Sequence, residues 1–287
     1  MSQLTSPGLA NLSDVVEAPG APGAAKAPRA EGEGGMPAWL GGLIGAGLLL
    51  VLWEVLALTA FNSLGSGVPT PVSVVTQFWH DMGSGLYGRN VGQTIKEAAD
   101  GYLVANVAAI ALGIAFVLVP VVEKALLRLA IASYCLPLIA VGPILSFALS
   151  GDRPQAALAA LLVFFPTLIG VVLGLRSADP ASLDVIRAAG GGRWTQLLKV
   201  RLKAALPSTF AALQIAAPSA ILGAIIGEYL GRQPTGLGIM MIDAESSLSI
   251  ARTWGVALFC AALAGVGYYV TGVIGRLLTP WARAKTA

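Results

Sequence analysis

Side chains able to do chemistry are sparse in this sequence and do not cluster. There is one histidine, His80, in a polar connecting segment, where a solvated role is expected. The two cysteines, Cys135 and Cys260, both sit within apolar stretches. That placement suggests neither a disulfide framework nor a zinc site. An enzyme embedded in a membrane needs His, Asp, Glu or Cys gathered near one face, and the acids here are scattered. The sequence contains no Gly-Lys pair, so it holds no G-x-x-x-x-G-K-[ST] phosphate loop and is not expected to hydrolyse ATP. No catalytic, cofactor-binding or metal-ligating residue is assigned.

The elements that must position the remaining polar groups follow from composition. The 287 residues are 56% hydrophobic and only 11% charged, against roughly a quarter charged in a soluble domain. Such a chain cannot cover a surface facing water, which places it in the membrane class. A net charge of +3 is too slight to argue for nucleic acid. Residues 1–36 are rich in Gly, Ala and Pro without hydrophobic periodicity; they are expected to form a disordered tail and have neither the basic start nor the apolar core of a signal peptide. Residues 37–287 then form one transmembrane domain. Six apolar stretches are long enough to cross a hydrocarbon core of about 30 Å: Trp39–Phe61, Ala98–Val119, Leu129–Leu149, Ala156–Leu175, Thr209–Leu230 and Trp254–Leu278. The expected fold is all-α and polytopic, with six transmembrane helices.

With the amino terminus inside, thirteen Lys and Arg fall on the inner segments and five on the outer ones. This positive-inside bias predicts that both termini are cytoplasmic. Glycines repeat at four-residue spacing in Gly41/Gly45, Gly170/Gly174 and Gly223/Gly227/Gly231, which stacks them on one helix face. Close backbone approach through such faces packs helices where lipid offers no hydrophobic drive, and packing within one subunit is favoured over a dimer seam. Pro137, Pro143, Pro166 and Pro218 should kink or break their spans. Ionisable groups within spans are costly and functional by default, which singles out Glu54 and Glu228. Asn106, Ser146, Gln214, Ser219 and Glu228 are candidates to line a polar path. Helix-to-helix hydrogen bonding is the competing reading for the first four, and a structural or gating role for Glu228.

One connection is unlike the rest. Residues 176–207, RSADPASLDVIRAAGGGRWTQLLKVRLKAALP, read as two short helices joined by a glycine hinge. Asp179 can cap the first, with Pro180 at its first position, and Gly190, Gly191 and Gly192 end it. The second is expected to place Trp194, Leu197, Leu198, Arg201 and Leu202 along one side. An interfacial helix lying on the membrane is the plain alternative; a rigid knob gripped by another protein is the sharper reading.

This loop resembles the cytoplasmic signature of binding-protein-dependent ABC importer permeases, an acid-Ala-Ala run, a glycine after three more residues, and a distant leucine-proline. Here Asp184-Val185-Ile186, Gly190 and Leu202-Lys203 stand at those positions, and the further ending Ala204-Ala205-Leu206-Pro207 is intact. Asp with Val-Ile replaces Glu with Ala-Ala, and Lys203 occupies the proline position. Glu97-Ala98-Ala99 spells the opening literally, but Gly101 follows too soon. VPTPVSVVTQFW, YCLPLIAVGPILSFALSG, FFPTLIGVVLGLRSADP and GEYLGRQPTGLGIMM are similar to segments of the nitrate, sulfonate and taurine branch. Where many relatives carry a glycine-rich, aromatic end to the third span, this chain reads Ala148-Leu149-Ser150-Gly151-Asp152, a departure that bears on substrate choice.

The resemblance implies a methionine-permease-like fold of the type I importers in a bacterial inner membrane. It implies work in pairs, a homodimer being preferred, on two ATPase subunits that bind ATP and Mg. A substrate-binding protein delivers cargo at the outer face. It makes the first loop helix a coupling helix, with Ser182, Asp184, Arg187, Ala188, Gly190, Arg193 and Trp194 as ATPase-coupling residues. The branch favours a small anion such as a sulfonate, taurine or nitrate; a pyrimidine-type vitamin precursor is the alternative. An ion-coupled secondary transporter is the competing class, but neither an internal repeat nor several buried ionisable groups support it.

Overall fold

A computed structural model describes residues 38–61, 68–134, 137–231 and 233–285. The segment 1–36 and Cys135 lie outside them. Among the described residues the chain is helical, and it divides into two compact units, Met1–Leu49 and Leu50–Ala287. The helices are α1 (Ala38–Leu56), α2 (Pro71–Gly83), α3 (Leu86–Leu118), α4 (Pro120–Tyr134), α5 (Leu138–Ala148), α6 (Arg153–Arg176), α7 (Pro180–Ala188), α8 (Arg193–Gln196), α9 (Leu202–Leu230), α10 (Leu237–Ser246) and α11 (Ile250–Leu278). Five helical stretches are long and apolar enough to cross a membrane, and α5 is a shorter apolar helix.

The third expected span is divided. One helix ends at Tyr134 and the next begins at Leu138, with Pro137 as its N-cap. Pro143, Pro166 and Pro218, by contrast, lie inside helices that continue past them. Helix α3 is 33 residues long, about 50 Å at 1.5 Å per residue. That exceeds the hydrocarbon core by about 20 Å, so the helix starts twelve residues before the Ala98 boundary expected from hydropathy and carries Asn90, Thr94 and Glu97 within it.

Helix α6 packs chiefly against α3 and α9. Their shared core is built of small residues, Ala98, Ala105, Ala159, Val163, Ala216, Ala220 and Ala224, so the backbones come close. A side chain on Gly223 would stand 2.5 Å from the Ala159 Cα and 2.9 Å from the Leu158 carbonyl oxygen. On Gly174 it would stand 2.9 Å from the Ala205 carbonyl oxygen, and on Gly227 2.7 Å from the Gln155 Cα. The glycine faces of α6 and α9 therefore pack these two helices within one subunit, the reading favoured from their spacing, whereas a Cβ on Gly41 or Gly45 would meet nothing within 4 Å.

The two ends of this core are finished differently. At the end carrying residues 177–201, Val171, Leu175, Leu197 and Ala205 are buried together. At the far end, Tyr87, Leu237, Met240, Val256 and Cys260 bind α10 and α11 to the start of α3. There Arg252 of α11 donates twice to Asp81 of α2, Nε to Oδ2 at 2.7 Å and Nη2 to Oδ1 at 2.8 Å. Burial pushes the Asp81 carboxyl up, but the hydrogen bonds and charge of Arg252, with Gln77 and His80 assisting, hold it below the usual aspartate range. A carboxyl lowered on folding adds stability above its unfolded value and loses it as pH falls through the folded one. Arg252→Ala strands Asp81, 1% exposed, and is expected to cost about 2–3 kcal/mol, less than a fully buried pair because Arg252 is partly solvated. A lowered thermal midpoint in detergent at pH 7, narrowing against wild type under strong acid, is the check.

Candidate functional site

The loop between α6 and α9 is rigid for local reasons. Asp179 caps α7: its Oδ2 accepts from the Ser182 amide at 3.1 Å and the Ser182 hydroxyl at 2.8 Å, and its Oδ1 from the Ala181 amide at 3.4 Å. Pro180 occupies the first turn, where no amide donor is needed. At the other end the Gly190 amide donates to the Arg187 carbonyl at 2.9 Å, and the Gly191 amide to the Ile186 carbonyl at 2.8 Å. This pair of bonds is a Schellman closure. It requires the left-handed backbone that Gly190 adopts, with φ +80°. Nine residues are thus fixed at both ends without help from a neighbouring helix.

The same helix is left largely uncovered. Leu183 is its buried anchor, while Ser182, Asp184, Arg187 and Ala188 are exposed. Arg187 pairs with Asp184 at 2.8 Å on the surface, a contact worth only a few tenths of a kcal/mol. Val185, next to Asp184 in the helix, is 67% exposed, and Trp194, after the glycine turn, is 64% exposed. Arg193 donates to the Leu118 carbonyl at 3.2 Å and Arg201 to the Leu175 carbonyl at 3.1 Å. Each guanidinium satisfies a carbonyl at the end of a spanning helix, where cations are favoured. The loop's base is tied down while α7 projects.

The second short helix differs from expectation. Helix α8 is one turn, followed by a π-helical turn over Leu197–Arg201 that leads directly into α9. The run Arg193–Leu230 is one continuous spanning element of 38 residues. The wider turn also redistributes the apolar face: Leu197 is buried while Trp194 and Leu198 are exposed. The five residues expected on one side therefore do not share it.

At the far end, Glu228 is fully buried. Its Oε1 accepts from the Thr94 hydroxyl and its Oε2 from the Gly238 amide, both at 2.6 Å. Thr94 Oγ1 in turn accepts from the Leu237 amide at 3.0 Å, and Asn90 Oδ1 from the Gly236 amide at 2.9 Å. Glu97 stands beside Glu228, held by Gln93 Nε2 at 2.7 Å. Its Oε2 has no hydrogen-bond partner among the described residues. Lys96 is committed elsewhere, to Asp152 at 2.6 Å, and that bond, with one from Gln93, holds the Asp152 carboxyl below its usual range. Gly236 has φ +148°, and a Cβ there would press into the Glu228 carboxyl, 2.6 Å from Oε1. The start of α10 is thereby clasped to α3 and α9 by one carboxylate.

The other path candidates are not gathered in one place. Asn106 Oδ1 accepts from the Thr167 hydroxyl at 2.7 Å between α3 and α6. The Gln214 amide packs over Gly272 of α11. Ser146 and Ser219 donate to carbonyls of their own helices, Gly142 at 3.1 Å and Ile215 at 3.3 Å. Ser146 also lines a far-end cavity of about 730 Å³. Oε2 of Glu54 is buried without a hydrogen-bond partner among the described residues. Thr94, Asn90, Glu97 and Gln155 were not singled out from sequence; the only cue was Glu97, set aside as a false motif start.

Five helical stretches long and apolar enough to cross a membrane, with a capped, exposed helix between two of them, define a polytopic membrane protein. The chain belongs to the binding-protein-dependent transport system inner membrane component family, whose model matches residues 101–284. It is therefore the inner-membrane permease of an ABC importer. It is 30% identical over 237 residues to the riboflavin transport system permease protein RibX of Chloroflexus aurantiacus, covering 82% of this chain and 87% of the relative. It is 26% identical over 242 residues to the formylaminopyrimidine transport permease protein ThiX of Halalkalibacterium halodurans (83% and 94%). It is likewise 26% identical over 246 residues to the putative aliphatic sulfonates transport permease protein SsuC of Bacillus subtilis (85% and 84%).

Proposed function

We propose that this chain forms half of a solute path through the membrane and that α7 transmits the movements of an ATPase subunit to it. Family membership supports an ATPase and a substrate-binding protein as partners. A pair of permease chains on two ATPases, with ATP and Mg bound by the latter, is the assembly we infer, and a homodimer is its simplest form. Loop 176–207 and both termini then face the cytoplasm. Residues 37–287 act as the permease domain and 1–36 as an appended tail.

The observation that carries this reading is the fixed, exposed α7 that bears Arg187 and is followed, across the glycine turn, by exposed Trp194. Tryptophan and arginine are the types that anchor interfaces most often. A rigid helix tied through its base to the ends of α3 and α6 is suited to pass a push into the bundle, biasing two arrangements of the halves. Ser182, Asp184, Gly190 and Arg193 support the same role by capping, pairing, closing or bracing the loop, and Ala188 leaves the exposed side of α7 open to a partner. Purification from native membranes is expected to retain an ATPase subunit, and Arg187→Ala with Trp194→Ala to lose it. Retention undiminished by both replacements, or a chain that moves solute without ATP, contradicts the proposal.

Substrate class is a finer matter. The sequence favours a sulfonate, taurine or nitrate, and one relative is named for aliphatic sulfonates. Others are named for riboflavin and formylaminopyrimidine, which favour an uncharged heterocycle.

A further inference from the structure

Beside the last turn of α7, three arginines line one cavity of about 200 Å³: Arg187, Arg193 and Arg201, with Leu118, Pro120 and Gln196 in the same wall. The cavity is below the usual size of small-molecule sites and suits one small anionic group. Its depth follows from the spans. The apolar part of α3 that ends there, Ala98–Val119, rises about 33 Å at 1.5 Å per residue, close to the thickness of the hydrocarbon core. Leu118, the last residue of α3, therefore stands at the level of the lipid headgroups. Arg201 is held at the same level by the carbonyl of Leu175, next to the end of α6. Val119 and Val121, on either side of Pro120, are exposed, as suits a wall that meets lipid.

The charges around this cavity are not balanced. Among the described residues, Arg187 alone of the three is ion-paired, with Asp184 on the surface. Arg193 and Arg201 donate to the Leu118 and Leu175 carbonyls, and each such bond uses one of the five N–H donors of a guanidinium. The neighbouring acids are committed, Glu123 to Arg176 and Asp179 to the cap of α7. Carbonyl capping accounts for Arg193 and Arg201 one at a time. It does not account for their meeting Arg187 around one cavity, where like charges disfavour one another unless an anion lies among them.

We propose that this cavity binds a phosphate-type anion at the membrane surface, the headgroup of an acidic phospholipid or free phosphate. Guanidinium groups take phosphate oxygens two at a time, and basic recesses between spans are where acidic headgroups bind. The anion joins the end of α7 to the end of α3 through Arg187 and Arg193, with Arg201 completing the charge. The inference adds a ligand to the loop and is independent of the solute carried.

The test titrates the purified full chain, with any ATPase subunit it retains, in phosphate-free detergent solution. Phosphatidylglycerol or phosphatidylcholine is added and bound lipid is counted by native mass spectrometry; a parallel arm measures radiolabelled inorganic phosphate by equilibrium dialysis. Saturable binding of phosphatidylglycerol in excess over phosphatidylcholine, or of inorganic phosphate, is expected. Phosphatidylglycerol binding identifies the lipid as the source, and phosphate binding alone identifies the free ion. Arg201→Gln is expected to weaken binding about tenfold or more, the loss of a charge-assisted contact. Lys199→Gln, at an exposed neighbour outside the cavity, is expected to leave it unchanged. Should Arg201→Gln fail to fold, Gln196→Glu, which sets a carboxylate among the arginines, is expected to abolish binding. Binding of neither anion, or equal losses in Arg201→Gln and Lys199→Gln, overturns the site. Loss of the ATPase subunit in Arg201→Gln, from a chain that binds neither anion, also overturns it and assigns the arginines to an acidic partner surface.

Discussion

Replacing Gly191 with alanine, or Gly190 with aspartate, is expected to cut ATP-driven uptake by at least about tenfold while the chain still inserts and folds. The two substitutions act differently. Gly190 has φ +80° and open space around its Cβ position, so any side chain there suffers only the left-handed backbone, about 1–2 kcal/mol. Gly191 has no such strain, but its Cβ would stand 2.5 Å from the Ile186 Cγ2 and 2.8 Å from the Ile186 carbonyl oxygen. The second contact is with the acceptor of its own amide, so relief requires opening the Schellman closure. Gly192 meets nothing within 4 Å and has no positive φ, and Gly192→Ala is the matched control, expected to leave uptake near wild type. Uptake into right-side-out vesicles of matched protein content, loaded with ATP, reads all three. Full uptake by Gly191→Ala would show that α7 need not be fixed for transport.

The second large effect lies at the opposite end. Glu228→Leu leaves the Gly238 amide without its acceptor in a buried site and leaves the Thr94 hydroxyl only the Asn90 carbonyl, at 3.4 Å. One stranded donor and one weakened bond cost about 1–3 kcal/mol. Because Thr94 and Asn90 also hold the Leu237 and Gly236 amides, the loss should be local, freeing the start of α10 before the α3–α6–α9 core. Hydrogen exchange over residues 233–240 is expected to rise sharply in Glu228→Leu and less in Glu228→Gln, which keeps one acceptor. Gly236→Ala should give a similar rise, since its methyl group would displace the carboxyl itself. Unchanged exchange in Glu228→Leu would remove the clasp from the account and return Glu228 to the list of path residues.

Hydropathy made the spanning elements legible because lipid imposes length and apolarity on them. The loop was legible because Asp179, Pro180 and Gly190 each have a narrow range of backbone uses, and the structure assigns them those uses. What composition hides is where a helix continues through polar residues. Helix α3 begins at Leu86 rather than Ala98, since the polar turns carrying Asn90, Thr94 and Glu97 bury those groups against α9 and α10 instead of water. The π-helical turn at Leu197–Arg201 escaped for a related reason: it depends on how Leu197 packs against Val171, Leu175 and Ala205, which spacing within one helix does not reveal. The polar path candidates were chosen by residue type alone, and type does not say which helix face a serine or glutamine takes.

The most direct test of the central claim is a cross-link from α7. A single cysteine at Val185, on a chain with Cys135 and Cys260 replaced, is labelled with a benzophenone maleimide, which needs no thiol on the partner, and irradiated in native membranes. The account predicts an adduct joining this chain to an ATPase subunit, and none from a cysteine at Leu248, which is 84% exposed at the far end. An ATPase adduct from Leu248 and not from Val185 would contradict it.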